Sequence, residues 1–199
     1  MVLDVAALLR ETGALLSGHF RLSSGLHSPH YVQCALLLEQ PRHARKLGQA
    51  LADALAGALP GQAPSKIVSP ALGGVVIGYA VAEALDLPFV FTERKEGAME
   101  LRRGFQIREG ESIVIVEDVV TTGKSTRETA AVIEERGGRV IGFASILNRS
   151  SRDNPFDAPY ASLLRLGLET FEEAHCPLCA SGTPLDAPGS RYSGTKRAG

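Results

Sequence analysis

Alternation is the feature that most constrains this sequence. Short apolar runs, rich in β-branched residues, recur at residues 66–70, 88–93, 112–118, 139–147 and 160–166, with helical stretches between them. A strand buried on both faces reads as a continuous apolar run, and strands separated by helices predict a parallel sheet covered on both sides. The expected fold is therefore α/β, a central, mainly parallel sheet of about five strands flanked by helices. A chain of 199 residues, 44% hydrophobic, is enough for one such core. Residues 1–185 are expected to form that domain, and residues 186–199, mostly Gly, Ser, Pro and basic side chains, a disordered tail.

The first 40 residues break the alternation. Residues 3–12 form an amphipathic helix that Asp4 is placed to cap, and residues 19–38 hold two apolar pieces divided by the turn signals Ser23-Ser24-Gly25 and Ser28-Pro29. A long Ala/Leu helix follows over 41–59, with Pro41 in its first turn. A further helix runs over 128–136 and stops at Gly137-Gly138. Residues 93–104 are a charged connection whose sequence permits a flexible hairpin.

Charge excludes some functions. With 21 basic and 22 acidic side chains the formal net charge is -1, whereas a general nucleic-acid or membrane-surface binder carries a basic excess. Trp is absent, which argues against stacking platforms for single strands. No apolar run approaches the ~20 residues of a membrane helix, and Asp4 before Arg10 is the wrong order for a signal peptide, so a cytoplasmic protein is expected. The three cysteines do not make a disulfide framework. Cys34, in an apolar run, is expected to be a small buried residue. Cys176-Pro177-Leu178-Cys179 is one C-x-x-C: half of a zinc site, a redox pair, or neither. Four ligands would need a second half, from another subunit for instance, and no second C-x-x-C exists in the chain. Free thiols or a structural role are expected.

The segment that carries chemistry is 113–126, IVIVEDVVTTGKST. A buried strand ends in two adjacent acids, Glu117 and Asp118. Val119 and Val120 lead into Thr121, Thr122, Gly123, Lys124 and Ser125, and then a helix. Such a loop offers N–H groups and hydroxyls to a phosphate, and the helix dipole favours the negative charge. Two carboxylates beside a phosphate cradle would repel a bare polyphosphate but suit sugar hydroxyls or a metal ion, so the ligand suggested is a ribose carrying a phosphate. The plainer alternative is a strand end followed by a helix start. A nucleotide P-loop would need a glycine where Asp118 stands, and no G-x-G-x-x-G is present.

Two acids, two apolar residues and Thr-Thr-Gly resemble the diphosphate signature of the type I phosphoribosyltransferases. Residues 12–32, Pro70-Ala71-Leu72-Gly73-Gly74 and Leu147-Asn148-Arg149 are similar to the orotate phosphoribosyltransferase family. The resemblance covers about residues 12–150. It implies transfer of ribose 5-phosphate from phosphoribosyl diphosphate to N1 of orotate, with Mg2+ and release of pyrophosphate. It implies that Glu117 and Asp118 hold the ribose hydroxyls, that Val119 to Ser125 enclose the 5′-phosphate, and that Ala71, Leu72 and Gly73 form a pyrophosphate loop. Arg94 and Lys95 match a basic pair before a flexible loop that crosses to the neighbouring subunit's site. With Asp118 they form the implied catalytic set, and a homodimer with shared sites follows. Arg149 would select the carboxylate of orotate, with Thr121, Tyr31 and Val32 around the base and residues 1–40 as a hood. Family members carry a Lys where Leu72 or Gly73 stands, and often at Ser23. Arg102 and Arg103 are candidates to replace a Lys and a His missing from the loop. The rival expectations are a transferase for another base, or a non-catalytic diphosphate sensor, which would be expected to add a DNA-binding module.

Overall fold

In the computed structural model, which describes residues 3–22 and 24–188, the Asp4 carboxylate accepts the Ala7 N–H at 2.9 Å and caps α1 (Val5–Glu11). A hairpin follows, β1 (Leu15–Arg21) and β2 (His27–Val32), then α2 (Cys34–Leu38) and α3 (Pro41–Ala58). Ser28-Pro29 lies inside β2 and is not a turn. The ladder shifts register between Ser17 and Phe20, so Pro29, which has no N–H to give, falls at the irregularity.

From β3 (Lys66–Pro70) the expected alternation holds: α4 (Gly73–Leu85), β4 (Phe89–Lys95), β5 (Ala98–Leu101), β6 (Ser112–Val120), α5 (Lys124–Glu134), β7 (Arg139–Asn148) and β8 (Tyr160–Arg165). The strands form one sheet in the order β5-β4-β3-β6-β7-β8, parallel except for β5. The sixth strand comes from the charged connection, which folds back antiparallel on β4 and buries Met99 and Leu101. Burial along β6 explains the continuous apolar run. Val114 and Val116 enter the core under α3 and α4, while Ile113 and Ile115 enter the opposite core with Val132 and Ile133 of α5. Helix α5 begins at Lys124, inside the expected loop, because Gly123 already supplies its N-cap at φ 71°.

The chain then returns to its beginning. Past β8 it pairs with the hairpin twice, His27 with Phe171 and Phe20 with Asp186, and ends its described part at Pro188 after a short helix, α6 (Pro177–Ala180). Asp186 accepts the Arg21 N–H at 2.8 Å and donates its own N–H to the His19 carbonyl, so it is built into the fold and is not the start of a loose tail. The rest of the expected tail, 189–199, lies outside the described residues. Among the described residues no helix is long and apolar enough to cross a membrane.

Candidate active site

Strand order decides where a ligand fits. From β3 the chain winds toward β4 and β5, and from β6 it winds the other way, toward β7 and β8. The winding reverses between β3 and β6, and the crevice outside the carboxyl ends of strands at such a reversal is where open α/β sheets bind ligands. The turn after β3, residues 71–74, meets the acid pair near the end of β6. A Cβ on Gly73 would lie 2.8 Å from either carboxylate oxygen of Asp118, and one on Gly74 3.0 Å from Glu117 Oε1. The two glycines give the acids their room.

A cavity of about 1190 Å³ opens here, walled by the hood (Tyr31, Val32), Glu117 and Asp118, the 121–125 loop and Arg149. Glu117 is buried, and its Oε1 accepts the Asp118 N–H at 3.2 Å, while Asp118 Oδ1 accepts the Val119 N–H at 2.8 Å. Burial, and then the neighbouring Asp118 carboxylate, push the Glu117 carboxyl well above the usual range, and burial raises Asp118 as well. Both shifts favour the protonated forms. Hydroxyl donors or a cation would let both acids ionise.

The anion loop is braced from behind. A Cβ on Gly123 would meet the Phe156 ring at 2.9 Å, which leaves glycine at this left-handed position. The Lys124 N–H donates to Thr122 Oγ1 at 3.3 Å. Arg127, which the spacing argument did not single out, donates to the carbonyls of Thr122 and Pro155, each at 2.7 Å, and lies over the Phe156 ring. No motif marks it. The available signal was an Arg one turn after the loop glycine.

Arg149 stands at the far wall, just past β7, its N–H bound to the Val120 carbonyl at 2.8 Å. Its guanidinium is half-buried, and Nε has no hydrogen-bond partner. Asn148 shapes this turn. Its Nδ2 donates to the carbonyls of Arg152 and Asp153, and its Oδ1 accepts from the Ser150 N–H and hydroxyl. Tyr31 sits near Asp118 and Arg149 with its ring tilted on Phe20 at 5.8 Å. Burial, and then the Asp118 carboxylate, raise its phenol.

Residues 35–179 match the phosphoribosyl transferase domain family. The chain belongs to the phosphoribosyl transferase family. It is 44% identical over 189 residues to an orotate phosphoribosyltransferase of Carboxydothermus hydrogenoformans, covering 95% of this chain and 98% of that one. An orotate phosphoribosyltransferase of Thermotoga maritima is also 44% identical, over 187 residues, covering 94% and 98%. Among solved structures, orotate phosphoribosyltransferase from Aeropyrum pernix superposes with a TM-score of 0.70 at 22% identity, over 82% of this chain and 94% of that one, and so shares the fold.

In this member of the phosphoribosyl transferase family some expected site residues stand outside the cavity. The Val120 side chain is buried in the core. Ala71, Leu72 and Gly73 flank the acids without lining the cavity, and Leu72 is 85% exposed. Arg94 and Lys95 end β4 away from it. Arg94 pairs with Glu128 on α5 and donates to the Gly97 carbonyl. Arg102 and Arg103 both bind Glu93, at 2.9 and 2.8 Å, within the same hairpin. Glu93 is thereby held below the usual carboxylate range, chiefly by its bond to Arg103.

Proposed function

We propose that this chain is an orotate phosphoribosyltransferase of pyrimidine (UMP) biosynthesis. It transfers ribose 5-phosphate from phosphoribosyl diphosphate to N1 of orotate, giving orotidine 5′-monophosphate and pyrophosphate. Arg149 carries the choice of base: a buried guanidinium nitrogen without a partner, on the wall of a cavity that also holds an acid pair and an anion loop. A base bearing a carboxylate satisfies it, and a bidentate Arg–carboxylate pair fixes the ring's orientation.

Thr121 to Ser125 enclose the 5′-phosphate, and Glu117 and Asp118 receive the two ribose hydroxyls. Positive charge develops at C1 as pyrophosphate departs, so holding base and sugar in line contributes more than a strong nucleophile. The oxygen-rich acid pair also fits a hard cation, and Mg2+ carried by the substrate supplies charge neutralisation of the diphosphate. Tyr31 and Val32 cover the base.

The second catalytic contribution comes from a neighbouring subunit. Arg94 and Lys95 do not line their own cavity, which suits service to a site across a homodimer, with closure of their hairpin excluding water. An apolar stripe of Leu72, Val76 and Tyr79, each substantially exposed along one edge of α4, supports a paired state. The compartment is the cytoplasm.

The test is loss of orotate absorbance when the protein is mixed with phosphoribosyl diphosphate and Mg2+, with hypoxanthine, uracil and adenine as competing acceptors. Turnover with orotate alone is expected. Turnover with another base would overturn the assignment of Arg149. Diphosphate binding without any turnover would overturn the catalytic reading in favour of a sensor.

A further inference from the structure

The C-x-x-C finds its other half in the hood. His19 and His27, on β1 and β2, meet Cys176 and Cys179 at the start of α6, and the four ligand atoms all lie within 4.8 Å of one another. His19 Nε2 is 3.0 Å from His27 Nδ1, 3.5 Å from Cys176 Sγ and 3.6 Å from Cys179 Sγ. Cys179 Sγ is 3.2 Å from His27 Nδ1. A tetrahedral ion bound at about 2.0–2.1 Å by nitrogen and about 2.3 Å by sulfur sets its ligand atoms about 3.3–3.8 Å apart. These four spacings, 3.0 to 3.6 Å, fall in or just short of that range.

The proton arrangement agrees. His19 Nδ1 lies 2.8 Å from the Thr183 carbonyl, which can only accept, so Nδ1 carries the proton and Nε2 turns a lone pair toward the cluster. His27 has no partner at Nε2, which is buried, so all the ring's polar contacts are with the cluster. His19, His27 and Cys176 are buried, whereas Cys179 reaches the surface. Two imidazoles packed edge to face 4.9 Å apart, with two thiols against them, form a closed set of four soft or borderline donors.

We propose that His19, His27, Cys176 and Cys179 form a structural zinc site that fastens the C-terminal segment onto the hood. Binding Zn2+ releases the two thiol protons and leaves a neutral Zn(Cys)2(His)2 centre, with no oxidation or reduction. All four positions belong to the protein, so the site has no open position for catalysis. The sheet of the hood is a two-stranded hairpin, marginal alone in water, and a metal joins its His19 to Cys176, 157 positions further along the chain. The inference does not rest on the proposed reaction.

The test uses the full chain without a polyhistidine tag. Elemental analysis should find one zinc per chain, and removal by a chelator should lower Tm. Cobalt added to the stripped protein should give the intense visible bands of a tetrahedral ion, together with a thiolate-to-cobalt charge-transfer band. Cys179→Ser, at the exposed position, should lose the charge-transfer intensity of one thiolate and most of the bound zinc, and Cys176→Ser should do the same. Because cobalt reports on the unmutated chain, the result does not depend on either variant folding. The proposal is overturned if the reduced chain takes up neither zinc nor cobalt. It is equally overturned if bound cobalt lacks a thiolate band, or if Cys176 and Cys179 are isolated as a disulfide while the hood keeps its stability.

Discussion

At the scale of single residues, the acid pair and Arg149 pull in opposite directions on stability and function. Glu117 is raised by burial and by Asp118, so its folded value lies above its unfolded one. Such a group contributes stability below the ordinary carboxylate range, and the contribution is lost as pH rises toward the folded value. This contribution to the stability of the ligand-free protein should therefore weaken as pH rises above the ordinary carboxylate range. Glu117→Gln keeps the shape of the protonated acid without the charge. Its Tm should exceed that of the parent by a margin that widens with pH, at about 2–4 °C per kcal/mol, while turnover falls. Thermal scans at several pH values check this, and a gap that narrows with pH would refute it. Arg149→Ala should raise KM for orotate about 10- to 100-fold, the worth of a charge-assisted hydrogen bond, with little change in KM for the diphosphate. Steady-state kinetics with each substrate varied separate the two.

At the scale of elements, bracing and close packing matter. Arg127 ties the anion loop to Pro155, and Arg127→Ala should raise KM for the diphosphate about 5- to 10-fold while leaving KM for orotate nearly unchanged. Gly48 on α3 faces α4, and a Cβ there would lie 2.6 Å from the Ala80 carbonyl carbon. Ala is the better helix former by about 1 kcal/mol, but backbone cannot move aside as a side chain can, and overpacking costs about 1–3 kcal/mol. Gly48→Ala should therefore lower Tm, and a rise would show that the helices separate freely. The elements also show what the sequence could reveal. The parallel strands were legible because burial on both faces writes continuous apolar runs, as in 112–118. Strand β5 was not, since only Met99 and Leu101 are buried within a charged stretch. The acid pair and the loop glycine were legible as a local motif, and Arg149 through the family resemblance of residues 147–149. Arg127 is marked by no motif, and the histidines beside the C-x-x-C by no spacing, because only the tertiary fold brings them to their partners.

At the scale of the whole molecule, the proposed reaction needs two copies. Lys95 ends its strand outside the cavity that its own Asp118 lines. If Lys95 serves a neighbour, then Lys95→Ala and Asp118→Asn chains, each inactive alone, should complement when mixed and allowed to exchange. Random pairing leaves one intact site in each mixed dimer, so about a quarter of the parental activity should return. No recovery, with mixed dimers verified by native mass spectrometry, would place Lys95 in its own subunit's chemistry or outside the reaction.

The return of residues 171–186 to the hairpin has a consequence for synthesis. The hood hairpin is made before the sheet, yet its hydrogen-bonding partners, Phe171 and Asp186, are made after it. Translation is vectorial, so the sheet can assemble while the hairpin waits without its strap. Nascent chains halted before residue 171 should carry a protease-sensitive amino terminus on an otherwise resistant body. The substrate crevice, walled in part by that same hairpin, would be completed only once residue 186 has been made.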